Sequence, residues 1–114
     1  VCNAVKQQLG EIDILVINAT PDQPQMPIEE YTWRHYETMI DFFIKSPYLL
    51  TRQVLPAMKA KRWGRIVNIS SEVFQRAVGN FSAYVSAKGG QNGFTRSMAT
   101  ELAVDGITLN VTAA

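Results

Sequence analysis

Three short apolar runs punctuate the chain, and the longest segment between them repeats apolar residues at helical spacing. The first run, Ile12 to Ile17, is rich in β-branched residues and lacks alternation of apolar and polar positions. A strand apolar on both faces belongs in a parallel sheet covered by helices. Arg65 to Ser70 and Ile107 to Val111 read as a second and a third strand. Val1 to Leu9 reads as the end of a helix, stopped by Gly10. Pro21, Pro24 and Pro27 make the stretch after the first strand a loop. From about Thr32 to Lys61, residues such as Trp33, Tyr36, Ile40, Phe43 and Ile44 recur at three and four, predicting a helix. Pro47 is expected to interrupt it, Pro56 stands near its end, and Trp63-Gly64 closes it. A loop from Ser71 to about Phe81 follows. Ser82 is the expected N-cap of a helix reaching about Val104, ended by Asp105-Gly106.

The order helix, strand, helix, strand, helix, strand argues for an α/β fold with a parallel sheet. Successive right-handed crossovers in one direction place both long helices on the same face. Only the stub Val1 to Leu9 remains for the other face. A three-stranded parallel sheet bare on one side is the pattern of half a domain.

Composition narrows the classes. The 114 residues are 46% hydrophobic and 18% charged, which excludes disordered, collagen-like and low-complexity chains. A formal net charge of +1 offers no electrostatic footprint for nucleic acid or an anionic membrane. The single cysteine, Cys2, makes neither an internal disulfide nor a metal site and fits a reducing, cytoplasmic compartment. No apolar stretch approaches the ~20 residues that span a bilayer, and the first residues do not read as a signal peptide. The missing initial Met predicts a chain that begins inside something longer.

In open parallel sheets, ligands bind beyond the carboxyl ends of the strands. Three features are expected on that edge: Asn18-Ala19 after the first strand, Ser70-Ser71 after the second, and Tyr84 with Lys88 early in the following helix. A spacing of four puts those two side chains on one helix face. An ammonium held close to a phenol favours the phenolate, which makes Tyr84 a usable general acid or base. Ser71 could hydrogen-bond the same substrate oxygen, so that the pair polarises a carbonyl and stabilises a forming alkoxide. Ser70 beside Ser71 leaves open which hydroxyl acts. Asn18 serves equally well as a turn residue tying neighbouring strands.

These residues resemble the short-chain dehydrogenase/reductase family. The resemblance rests on Tyr84-Val-Ser-Ala-Lys88, with Ser71 thirteen positions before the tyrosine, and on Asp13 to Thr20, which is similar to the family's Asn-Asn-Ala-Gly strand end. Leu55-Pro56-Ala57-Met58, Ala99-Thr-Glu101-Leu and Gly106-Ile-Thr-Leu-Asn110 extend it in the family's order. It implies a partial Rossmann-type doubly wound sheet, with residues 1–114 the C-terminal part of one NAD(P)-binding domain. It implies reversible hydride transfer between NAD or NADP and a small carbonyl/alcohol substrate. Tyr84 would be the acid/base, and Lys88 would tune it and bind the nicotinamide ribose. Ser71 would orient the substrate, and Asn18 and Ala19 would line the dinucleotide groove. Subunits would pair through the two long helices as a homodimer or homotetramer. An alternative of another class is a truncated, non-catalytic chain acting through subunit association.

The chain also departs from the family. The family's fourth catalytic residue, an Asn whose helix is kinked so that a backbone carbonyl holds a relay water, falls at Phe43. Pro47, four residues on, has no N–H to give the Phe43 carbonyl, so it is expected to supply the kink instead. Thr20 replaces a glycine and restricts positive φ. Ala114 stands just before the family's Pro-Gly turn. No glycine-rich phosphate turn is present, and Gly89-Gly90 and Gly93 inside the last helix are expected to serve packing. The 114 residues alone are therefore expected to bind NADH or NADPH negligibly and to lack activity.

The remaining candidates read as structural. His35 is expected on an exposed helix face, and Met26, Met39, Met58 and Met98 as core or pocket filler. Trp33 and nearby aromatics fit helix packing or a subunit interface. Lys59, Lys61, Arg62 and Arg65 cluster at a helix end and read as solvated. The resemblance places Glu72, Phe74 and Phe81 in the wall of a partly apolar substrate pocket.

Overall fold

The computed structural model describes residues 1–71, 76 and 78–113. Helix α1 (Cys2–Leu9) stops at Gly10, which has a positive φ of 95°. Strand β1 (Ile14–Ile17) is two residues shorter than its apolar run. The proline-containing loop then holds one 3-10 turn, Ile28–Glu30. Helix α2 (Trp33–Ile40), a π turn (Asp41–Lys45) and helix α3 (Ser46–Lys61) follow without a break. Strand β2 (Gly64–Ser70), helix α4 (Ser82–Leu102), a 3-10 turn (Ala103–Asp105) and strand β3 (Ile107–Ala113) complete the order.

The segment around Pro47 differs from the expected interruption. Proline lacks an N–H, and its ring crowds the carbonyl four residues back, here that of Phe43. The helix answers by widening one turn rather than stopping. The Ser46 N–H bonds to the Asp41 carbonyl, five residues back, and Pro47 is buried at the start of α3. Thr32 begins the assembly, its Oγ1 accepting from the His35 N–H at 3.3 Å. Arg62, in the left-handed region at φ 57°, ends it, one residue before Trp63-Gly64.

Ser82 is not the N-cap of α4. Phe81 holds that position, and Ser82 is the first helical residue, its hydroxyl hydrogen-bonded to Tyr36 Oη. The tertiary partner on α2 takes the oxygen that a cap would have used.

The sheet is parallel throughout, in the order β1-β2-β3. Leu15, Ile66 and Leu109 stand in register on one face. There Ile17, Ile66, Ile107 and Leu109 pack with Val54 and Met58 of α3 and Leu102 of α4. Both long helices thus cover one face, as expected from right-handed crossovers. Ile14 and Val16 on the other face are 59% and 57% exposed. A second cluster, Met39, Phe43, Phe81, Ala83, Tyr84 and Ala87, joins α2 and the π turn to the start of α4. Gly90 admits the Ile44 side chain against α4, which agrees with a packing role; Gly93 has no atom near its missing Cβ.

Lys59, Lys61 and Arg62 near the end of α3 are exposed, as expected, and find partners at the surface. Lys61 pairs with Asp13 and Lys59 with Asp105 at 3.9 Å. Arg62 Nη2 donates to the Val104 carbonyl at 2.9 Å, and the Arg65 guanidinium lies 4.5 Å from the Trp63 ring centre. They tie the amino-terminal ends of the strands to the helix ends. His35 is half-buried rather than exposed, edge-on to Tyr31 at 5.8 Å. Met39 and Met58 are in the core, and Met98 packs beside it.

Candidate functional site

Parallel strands direct their carboxyl ends, and the loops after them, to one edge. Asn18 and Ala19 follow β1 and are exposed there. No side-chain hydrogen bond among the described residues ties Asn18 to a neighbouring strand. Ser71 follows β2, half-buried and engaged by a polar or ring contact. Thr20 has no positive φ; its hydroxyl accepts from Gln23 Nε2 at 2.5 Å, within the loop. Glu72, Phe74 and Ala114 lie outside the described residues.

Helix α4 returns to the same edge. Tyr84 occupies its first turn and Lys88 its second, and both are buried, at 7% and 5% exposure. Phe81 stacks on the Tyr84 ring at 4.7 Å, and Phe43 meets it edge-on at 5.4 Å. Lys88 Nζ is 5.8 Å from the Tyr84 ring centre and 4.2 Å from that of Phe43. It donates to the Ile69 carbonyl at 2.7 Å, two residues before Ser71. The β1–β2 register pairs Ile17 with Asn68, so Asn18 follows on beside Ile69. The structure thus brings Tyr84 and Lys88 together at the strand end from which Ser71 departs, with Asn18 one strand over.

Burial pushes the Lys88 ammonium down to a pKa of about 8. Its hydrogen-bond partners among the described residues are polar but neutral. Nζ also donates to Gln91 Oε1 at 3.2 Å, and Gln91 Nε2 reaches Asn68 Oδ1 at 3.5 Å. Asn68 Nδ2 donates to Thr95 Oγ1 at 2.6 Å, whose hydroxyl donates to the Gln91 carbonyl at 2.9 Å. Gln91, Asn68 and Thr95 are all buried. Sequence reasoning passed over these three. The signal was present: Asn68 is a polar residue in an apolar strand, and Gln91 and Thr95 lie three and seven residues after Lys88, on its helix face.

Phe43 lies in the π turn, and its ring packs in the cluster with Tyr84 and faces the Lys88 ammonium. A surface cavity of about 470 Å³ lies between α1 and the start of α3, and none of the expected site residues line it. Among the described residues, no group of His, Cys, Asp and Glu is arranged to hold a metal, and no helix is long and apolar enough to cross a membrane.

The chain is similar in sequence and fold to known proteins. An acetoacetyl-CoA reductase from Cupriavidus necator is 37% identical over 106 residues, covering 93% of this chain and 43% of that protein. Among solved structures, a halohydrin dehalogenase bound to ethyl (2S)-oxiran-2-ylacetate superposes with a TM-score of 0.93 at 28% identity, covering 98% of this chain and 45% of its own. An NAD+-bound xylitol dehydrogenase superposes with a TM-score of 0.90 at 25% identity, covering 97% and 43%. The chain therefore spans under half the length of these relatives. The family model described as short chain dehydrogenase matches residues 1–114, every position of the sequence. With its parallel sheet and that match from end to end, the chain belongs to the short-chain dehydrogenase family.

Proposed function

We propose that these residues are the catalytic part of one NAD(P)-binding Rossmann domain, in an oxidoreductase that interconverts a carbonyl and an alcohol. The observation that carries this reading is the burial of Tyr84 and Lys88 side by side, one helical turn apart, at the carboxyl edge of a parallel sheet. In the reductive direction Tyr84 Oη gives its proton to the substrate oxygen, and in the oxidative direction it takes that proton back. The Lys88 charge stabilises the phenolate left behind. Ser71 Oγ hydrogen-bonds the same substrate oxygen and orients it.

The edge residues fit a dinucleotide. Asn18 and Ala19 are exposed where β1 ends and would line the groove. Lys88 would bind the nicotinamide ribose. A bound NAD or NADP supplies the hydride donor or acceptor. The π turn before Pro47 supports a relay in which the Phe43 carbonyl holds a water, since Pro47 brings no N–H to it. Trp33, Tyr48 and Leu49 are exposed along α2 and α3 and suit pairing of subunits as a homodimer or homotetramer.

The test uses the full-length protein. It is screened with NADH and NADPH against carbonyl compounds that include a 3-oxoacyl thioester, and with NAD and NADP against the matching alcohols. Cofactor-dependent turnover that falls about 10²- to 10⁴-fold in Tyr84→Phe is expected. Turnover unchanged in Tyr84→Phe overturns the reading. So does halide release or epoxide opening with no nicotinamide dependence.

A further inference from the structure

We infer that Phe43 and Gln91 are positioning residues that seat the Lys88 ammonium beside Tyr84, an inference that rests on the reading of Tyr84 and Lys88 as the working pair. The Phe43 ring faces Nζ at 4.2 Å and meets the Tyr84 ring edge-on at 5.4 Å, so one side chain touches both members of the pair. Gln91 Oε1 accepts from Nζ on another side, at 3.2 Å. Phe43 and Gln91 are 2% and 1% exposed, so neither interaction competes with bulk water.

The orientation of the Gln91 amide follows from its neighbours. Asn68 spends its Nδ2 on Thr95, which leaves Oδ1 to accept. Only the Gln91 amide nitrogen can donate to it, which turns Gln91 Oε1 towards Lys88. An oxygen aimed in this way by a buried network is a fixed acceptor, not an adaptable one.

Among the described residues, the partners of the Lys88 ammonium carry no formal charge. Among the described residues no salt bridge reaches Lys88. Asp41 and Lys45 of the π turn are exposed, β3 carries no titratable side chain, and Arg65 opens the far end of β2. On α4 itself, Tyr84 is the titratable neighbour. A carboxylate in the place of Gln91 would hold the ammonium more strongly and spend its field. A carbonyl dipole and a ring face hold it in place and leave its charge available to the phenol. Because burial has already brought Lys88 to about 8, loss of either support moves it towards working pH.

The experiment follows the titration of Lys88 by NMR in full-length protein with 13C-labelled lysine, the resonance being assigned with Lys88→Met. Gln91→Leu and Phe43→Leu are expected to lower the midpoint by about one pH unit, and Gln91→Glu to raise it. Turnover measured alongside should fall in Gln91→Leu and Phe43→Leu mainly through kcat. Midpoints that stay at the wild-type value in all three variants overturn the inference, as does a shift in the same direction for Gln91→Leu and Gln91→Glu, which would mean mere loosening. If Gln91→Leu does not fold, Gln91→Met makes the same comparison. Full activity in Lys88→Met or Tyr84→Phe would instead overturn the catalytic pair, while the midpoints still decide the seat.

Discussion

Asn68 on β2 donates from Nδ2 to Thr95 Oγ1 on α4 across 2.6 Å, in a gap where the two residues are 0% and 3% exposed. A buried amide donor deprived of its acceptor carries the full cost of desolvation. Thr95→Val keeps the shape and removes that acceptor, so it should destabilise the full-length protein by about 1–3 kcal/mol. Thr95→Ser keeps the oxygen and loses a methyl group, a cost of about 1 kcal/mol. Urea denaturation of both variants checks the difference, and equal losses would show that the bond contributes nothing beyond packing.

Pro47→Ala restores an N–H at the second residue of α3, two positions after the π turn. The widened turn should relax towards an ordinary α-helical one, and alanine's helix propensity should leave stability unchanged or improved. Turnover should nevertheless fall, because the Phe43 ring and carbonyl both shift. A crystal structure of the variant with steady-state rates tests this. Unaltered helix geometry together with unaltered turnover would end the idea that Pro47 stands in for the family's asparagine.

Lys88 makes stability depend on pH in a definite direction. Its folded pKa of about 8 lies below the ordinary value of 10.5. Between those two values the unfolded chain binds more protons than the folded one, so this group adds to stability as pH rises. Below about 8 both states hold the proton, and the whole cost of burying the ammonium is present. Relative to Lys88→Met, the wild-type protein should gain up to about 3 kcal/mol between pH 7 and pH 11. Denaturation midpoints of the two proteins across that range give the answer, and a difference that stays constant or shrinks contradicts it.

Gly106 has φ +73°, and a Cβ there would press on the Arg62 carbonyl oxygen, a backbone atom with nowhere to go. Gly106→Ala should therefore destabilise the protein by about 1–3 kcal/mol. Because the contact joins the end of α3 to the start of β3, far from the carboxyl edge, kcat at a temperature where the variant stays folded should be unchanged. A variant as stable as the parent would mean that this turn yields easily.

Local pattern made much of this legible. Apolar runs without alternation announced parallel strands, and the alternation of strands and helices implied that both crossovers cover one face, leaving the other face open. The Tyr84–Lys88 spacing fixed their adjacency, because four residues on a helix have one geometry. Other features depended on partners distant in sequence. Ser82 looks like a cap until Tyr36 takes its hydroxyl. Lys59, Lys61 and Arg62 are exposed as the sequence suggests, but their partners Asp105, Asp13 and the Val104 carbonyl are set by the fold.

The sequence by itself determined the order of elements and the adjacency of Tyr84 and Lys88 at the carboxyl edge of the sheet, since each follows from short-range spacing and strand direction. Only the tertiary structure decided how Lys88 is held. Its partners come from the π turn, from β2 and from its own helix, and they meet because helices on one face of a parallel sheet must pack against each other. The same packing excludes water, lowers the lysine's affinity for its proton, and gives a phenylalanine and a glutamine a hold on its charge that no spacing along the chain records.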